Sequence, residues 1–252
     1  MAYRELLARL VWRDVKVRYK QTAIGAAWAI LQPFLTMVVF TIIFGKFAQF
    51  PSENLPYPVL VFSGLLVWMF FASAVSGSAT SIVANVPLVT KVYFPRIALP
   101  LAAVAVPVVD FVLASVVLAG MMAWFSLGVG GYVLLSPLFL LLAIVTALGV
   151  GLFFSAVNVR YRDVPYAIPF MLQIWLYLSP VIYPASAWPE RWEWVLWANP
   201  MTTAITGFRW AVVGTPAPTL AQGAIGVTVA LVVALIGLAY FRANESRFAD
   251  TI

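Results

Sequence analysis

The chain has no cysteine and no histidine. Disulfides, thiolate nucleophiles and histidine-based metal or acid–base sites are therefore excluded, though the lack of cysteine says nothing about redox compartment. Charge is scarce too. Only 10% of residues are Asp, Glu, Lys or Arg, against 63% hydrophobic, whereas a soluble domain carries about 25% charged residues. The nucleotide-binding pattern G-x-x-x-x-G-K-[ST] is missing, because the nearest Gly-Lys pair, Gly45–Lys46, is followed by Phe47. No clear inverted repeat is visible, which weakens a secondary-transporter reading.

What remains is a series of long apolar runs. A spanning helix takes about 20 largely apolar residues. Runs of that kind fall at about 27–47, 58–84, 97–127, 132–157, 164–183 and 219–241. They predict an all-α integral membrane protein with six transmembrane helices. The first run is of spanning length and follows about twenty polar-rich residues, so no cleavable signal peptide is expected.

The cations assign the sides. Twelve of the fifteen lysines and arginines lie in residues 1–20 (Arg4, Arg9, Arg13, Lys16, Arg18, Lys20) and in the patches holding Lys91 and Arg96, Arg160 and Arg162, and Arg242 and Arg247. These patches occupy alternate gaps between apolar runs, and cytoplasmic loops retain Lys and Arg. Both ends are thus expected in the cytoplasm. The opposite gaps carry only Lys46, Arg191 and Arg209. An isoelectric point near 9.7 follows from this bias without any nucleic-acid partner.

Residues 1–20 read as an amphipathic helix, with Tyr3, Leu6, Leu7, Leu10 and Val11 on one face and Arg9, Arg13, Lys16 and Lys20 on another. It suits the cytoplasmic interface as an anchor to anionic lipid, with Trp12 at headgroup depth, or as a docking face for a partner; the two are compatible. The gap 85–96, NVPLVTKVYFPR, is punctuated by Pro87 and Pro95 and has room for one or two helical turns. It is longer than a turn requires and reads as a contact element. The shorter NVRYRD stretch, Asn158–Asp163, is a second contact or a charged stop.

On the other side, residues 184–218 hold Trp188, Trp192, Trp194 and Trp197, followed after Pro200 by an apolar stretch from Met201 to Val213. A stretch of that length is too short to span and predicts a re-entrant or interfacial helix. The tryptophans form an aromatic belt or a platform on which ring faces meet sugars. Asp110 is the one clear ionisable residue inside an apolar run. A carboxylate there should have a partner and face protein or water. A structural or pore-lining hydrogen bond is the favoured reading over a proton relay. Small residues at Ala143, Ala147, Gly151 and Ser155, and at Ser73, Gly77 and Ser81, mark close helix packing, within one protomer or between two.

Several ordered segments resemble one family. They are WRDVKVRYKQTAIGAAWAILQPFL (Trp12–Leu35), KVYFPR (Lys91–Arg96), NVRYRDV (Asn158–Val164), SPVIYPAS (Ser179–Ser186) and NPM (Asn199–Met201). Together they are similar to ABC-2-type permeases that export bacterial polysaccharides, O-antigen exporters above all, with teichoic-acid exporters nearby. The resemblance implies a homodimer of six-helix half-channels in the bacterial inner membrane, on two copies of a separate ATPase that binds ATP and Mg. This chain would then hold no cofactor and no metal. An undecaprenyl-diphosphate-linked glycan is the implied substrate. Residues 1–20 and 85–96 match the family's docking elements, which makes Arg9, Arg13, Lys16, Lys91, Tyr93 and Arg96 the docking candidates. Arg18 and Lys20 are candidates for attracting the diphosphate. Segment 184–218 matches re-entrant periplasmic helices around the channel exit, and a carbohydrate-reading domain is expected on the partner. Export of a drug or small lipid by a related permease, and proton-coupled transport, are the rivals. A glycan-processing enzyme would need a catalytic pair, and nothing marks Glu53, Glu190 and Glu193 as one.

Overall fold

The computed structural model describes residues 2–20, 25–92 and 94–248. All regular structure among these residues is helical: α1 (Ala2–Lys20), α2 (Trp28–Phe40), α3 (Tyr57–Ala84), α4 (Val86–Lys91), α5 (Ala98–Trp124), α6 (Ser136–Arg160), α7 (Val164–Tyr177), α8 (Glu193–Ala198), α9 (Pro200–Val213) and α10 (Leu220–Glu245). A π-helical stretch, Thr41–Phe47, prolongs α2.

Among the described residues, five segments are long and apolar enough to cross a bilayer: Trp28–Phe47, Tyr57–Ala84, Ala98–Trp124, Val133–Arg160 and Leu220–Glu245. Each coincides with an expected run to within a few residues. The chain is therefore a multi-pass membrane protein. The run expected at 164–183 differs. Its helix, α7, has 14 residues, about 21 Å at 1.5 Å per residue, short of the roughly 30 Å hydrocarbon layer. The chain then turns through Leu178–Tyr183.

α3 forms the axis of the bundle. In its most apolar stretch 78% of residues are buried, against 11 to 33% in the other four spans. A helix apolar all round belongs inside a protein or against lipid, and here α3 takes the inside position. The small residues explain how its neighbours come so close. A Cβ at Gly151 of α6 would collide with Ser78 of α3, and one at Gly237 of α10 with the Gly149 carbonyl of α6. Ala143, Ala147 and Ser155 are buried on the same helix, and Gly77 faces Ala103 of α5. These contacts all lie within one chain. α5 continues unbroken through Pro107.

The expected N-terminal helix and the short helix of the 85–96 gap are present as α1 and α4. The apolar face of α1 is covered by the bundle: Leu10 is buried, with Leu6, Leu7 and Val11 packed around it, against Ile82, Val89, Leu99 and Phe241. α9 ends at Gly214, whose φ of +78° favours glycine. α10 starts with a capping box between Thr219 and Gln222.

Candidate functional site

α1, α4, the start of α5 and the end of α10 meet at one end of the bundle. Asn85, at the junction of α3 and α4, ties the first two together. Its side-chain oxygen accepts from Arg13 Nη2 at 3.0 Å, and its amide donates to the Ser81 carbonyl at 2.8 Å. Arg13 also pairs with the adjacent Asp14. Across the α4–α5 turn, the Arg96 backbone N–H donates to Glu245 Oε1 at 3.0 Å, and its guanidinium donates to the Glu245 carbonyl. A groove of about 600 Å³ opens between Val92, Phe94, Arg96 and the end of α10.

The sequence-derived docking candidates therefore divide. Arg9, Lys16 and Lys91 are exposed, and Lys16 lies 5.2 Å over the ring of the exposed Trp12. Arg13 and Arg96 are engaged within the chain. Tyr93 lies outside the described residues. With its apolar face used by the bundle, α1 turns Arg9 and Lys16 outward.

Asp110 finds its partners on α1. Arg18 Nη2 is 2.5 Å from one carboxylate oxygen, and the Tyr19 hydroxyl donates to the other. The three residues line a cavity of about 120 Å³ with Trp28, Gln32 and Ser73. A carboxylate placed in an apolar helix is thus neutralised by the end of the amphipathic helix. Arg18 is committed to this pair, while Lys20 is exposed.

Toward the start of α3, about 37 Å along the helix axis from Asn85 at 1.5 Å per residue, the chain is held by a buried cation. Arg209 of α9 is 2% exposed. It donates from Nη1 to the Pro180 carbonyl at 2.6 Å and to that of Tyr183 at 3.4 Å. Nη2 reaches the carbonyls of Leu60 at 2.8 Å and Val181 at 2.7 Å. Nε donates to Ser63 Oγ at 3.3 Å. The planar five-donor fork satisfies backbone acceptors from two separate segments. Burial pushes its pKa down to about 10, opposed first by Glu53, so the group stays cationic at neutral pH. The approach requires Gly64, where a Cβ would collide with Arg209 Nη2.

Nearby, Asn199 caps α9 by accepting from Met201 N at 3.0 Å. The same oxygen accepts from Trp175 Nε1 at 3.0 Å, and its amide donates to Ser179 Oγ at 2.8 Å. The expected aromatic platform also divides. Trp192 and Trp194 are exposed, Trp188 is half-buried, and Trp197 is buried, donating to Glu193 Oε1 at 2.9 Å.

Residues 5–213 match the ABC-2 type transporter family. The chain belongs to that family. It is 31% identical over 210 residues to the O-antigen export system permease protein RfbA of Myxococcus xanthus, covering 82% of this chain and 80% of that protein. It is 26% identical to the RfbA of Klebsiella pneumoniae, with 98% and 95% covered. It is 25% identical to the polysialic acid transport protein KpsM of Escherichia coli, with 94% and 92% covered.

The part of this ABC-2 chain that matches the family runs from α1 through α9, so it includes both the α1–α4 end and Arg209. The SPVIYPAS segment supplies three of the carbonyls that hold Arg209, and the Asn of NPM is the α9 cap. Sequence reasoning counted Arg209 only as a cation in an outer gap. The available signal was its position as the lone charge in the apolar stretch Met201–Val213: a charge in such a place needs partners.

Proposed function

We propose that this chain is the membrane-spanning, channel-forming subunit of an ATP-driven exporter that carries a lipid-linked, O-antigen-like polysaccharide from cytoplasm to periplasm. The observation that carries the reading is the likeness, over nearly the whole chain, to permeases named for O-antigen export and polysialic acid transport. In this reading the protein works as a homodimer on two copies of a separate ATPase, which binds ATP and Mg. An undecaprenyl-diphosphate-linked glycan is the substrate, and the chain itself holds no cofactor.

In this reading the protein lies in the bacterial inner membrane with both termini in the cytoplasm, an orientation that the cation asymmetry supports. A sixth crossing uses α7 together with the turns at 178–183, whose free carbonyls are met by Arg209. α8 and α9 form a re-entrant pair from the periplasmic side. Three contacts support that path. Gln222 Nε2 donates to Glu193 of α8 at 2.8 Å, Thr203 of α9 abuts Gly226 further along α10, and Gly130 N donates to the Val212 carbonyl at 2.8 Å. ATP drives the cycle because the ATPase binds it more tightly in one conformation than in another. That motion enters the membrane through α1 and α4.

Purification of the tagged permease from its native membrane in mild detergent, followed by mass spectrometry, tests the reading. A stoichiometric ATP-binding subunit is expected, and deletion of the permease gene should leave lipid-linked glycan inside the cell. An intact permease without any ATPase, or unchanged surface glycan in the deletion strain, would overturn it.

A further inference from the structure

A polar cavity of about 310 Å³ lies between the 184–190 segment, α8, α9 and the start of α10, within the size range of small-molecule sites. Its hydrogen-bonding groups are prearranged. Glu193 Oε1 accepts from both Trp197 Nε1 and Gln222 Nε2, so its orientation is fixed before any ligand arrives. Glu53 accepts from Ser186 at 2.8 Å. Thr215 is 7% exposed and lines the cavity, yet its hydroxyl has no hydrogen-bond partner among the described residues. That hydroxyl is open to the cavity and free to meet a ligand there. The half-buried Trp188 adds an aromatic surface to the same lining.

Carboxylates, an amide, a hydroxyl and an indole form a lining that suits a ring bearing many hydroxyls and an apolar face. The charge narrows the class. Glu53, Glu190 and Glu193 all line the cavity, and Arg209, the one cation among the described lining residues, is already committed to carbonyls and Ser63. We infer that this cavity binds a sugar unit of the exported polymer, and that it takes neutral or amino sugars while rejecting acidic ones. The inference rests on the polysaccharide-export reading and adds to it a binding site and a charge class.

The test is equilibrium binding to the purified permease in nanodiscs, using fluorescently labelled maltoheptaose, partly deacetylated chitoheptaose and α2,8-linked oligosialic acid. The neutral or the amino oligosaccharide should bind at least tenfold more tightly than oligosialic acid. Thr215→Val should weaken that binding about threefold or more. Glu190→Lys, a change at an exposed position, should reduce the preference over oligosialic acid without altering thermal stability. Equal or tighter binding of oligosialic acid, no binding of either other probe, or binding indifferent to both variants would overturn the inference. Surface glycan measured in a complemented deletion strain fails separately. If the wild-type gene does not restore export while the oligosaccharides still bind, the export reading falls and the cavity stands.

Discussion

Arg18, near the end of α1, forms an ion pair with Asp110, twelve residues into α5. Arg13 of the same helix holds Asn85 at the head of α4. One helix thus joins the α1–α4 end of the bundle to the interior of a spanning helix.

Asp110→Asn removes the ion pair while leaving Tyr19 a hydrogen-bond partner. Export should fall several-fold, with the ATPase still co-purifying. The double charge swap, Arg18→Asp with Asp110→Arg, should recover part of the loss. A double-mutant cycle on thermal unfolding should give a coupling of about 1–2 kcal/mol. Additive effects would show that the pair transmits nothing.

Arg209→Met strips the donors from the Leu60, Pro180 and Val181 carbonyls. Each unmade buried bond costs about 1–3 kcal/mol. A net loss of about 3 kcal/mol lowers the unfolding midpoint of a chain this size by roughly 6–12 °C. Arg209→Lys, with three donors in place of five, should fall between wild type and Met. Fluorescence-monitored melting in detergent measures the series.

Gly237→Ala drives a methyl group into the Gly149 carbonyl at the α6–α10 seam. Overpacking of this kind costs about 1–3 kcal/mol. A reduced melting midpoint is expected. Gly223→Ala, on the same helix with open space around it, serves as the control and should melt at or above the wild-type temperature.

Lys91→Glu combined with Arg9→Glu reverses two exposed cations at the α1–α4 end, where we propose that the ATPase docks. Substitutions at such positions stay within about 0.5 kcal/mol in stability. Recovery of the ATPase with the tagged permease should fall about tenfold at an unchanged melting midpoint. Arg96→Glu is less informative, because it also breaks the bonds to Glu245.

The spanning helices were readable because a bilayer imposes the same demand on every one of them. About twenty apolar residues are enough to declare a span, and α2 with its π-helical extension, α3, α5, α6 and α10 all meet that rule. Local rules also exposed α1, α4 and α9: a period of 3.6 in the first case, flanking prolines in the second, and a stretch too short to span in the third. The same length rule failed at α7. Apolarity continues to Val181 and Ile182, but the helix ends at Tyr177 and the backbone turns. Those turns persist because Arg209 supplies the hydrogen bonds the helix would otherwise have made.

The sequence by itself determined what could lie in lipid, which end carried the cations, and which reactive chemistries were out of reach. Composition and one-dimensional period suffice for each of these, since each concerns how a segment meets its solvent. Tertiary structure decided who pairs with whom. That Asp110 belongs to Arg18 and Tyr19, that Arg209 clamps α9 to α3 and residues 180–183, and that Trp197 turns inward to Glu193 all join residues distant in sequence or set by packing. Hydrogen bonds and ion pairs act over a few ångströms, so only the folded path of the chain determines which groups fall within that reach.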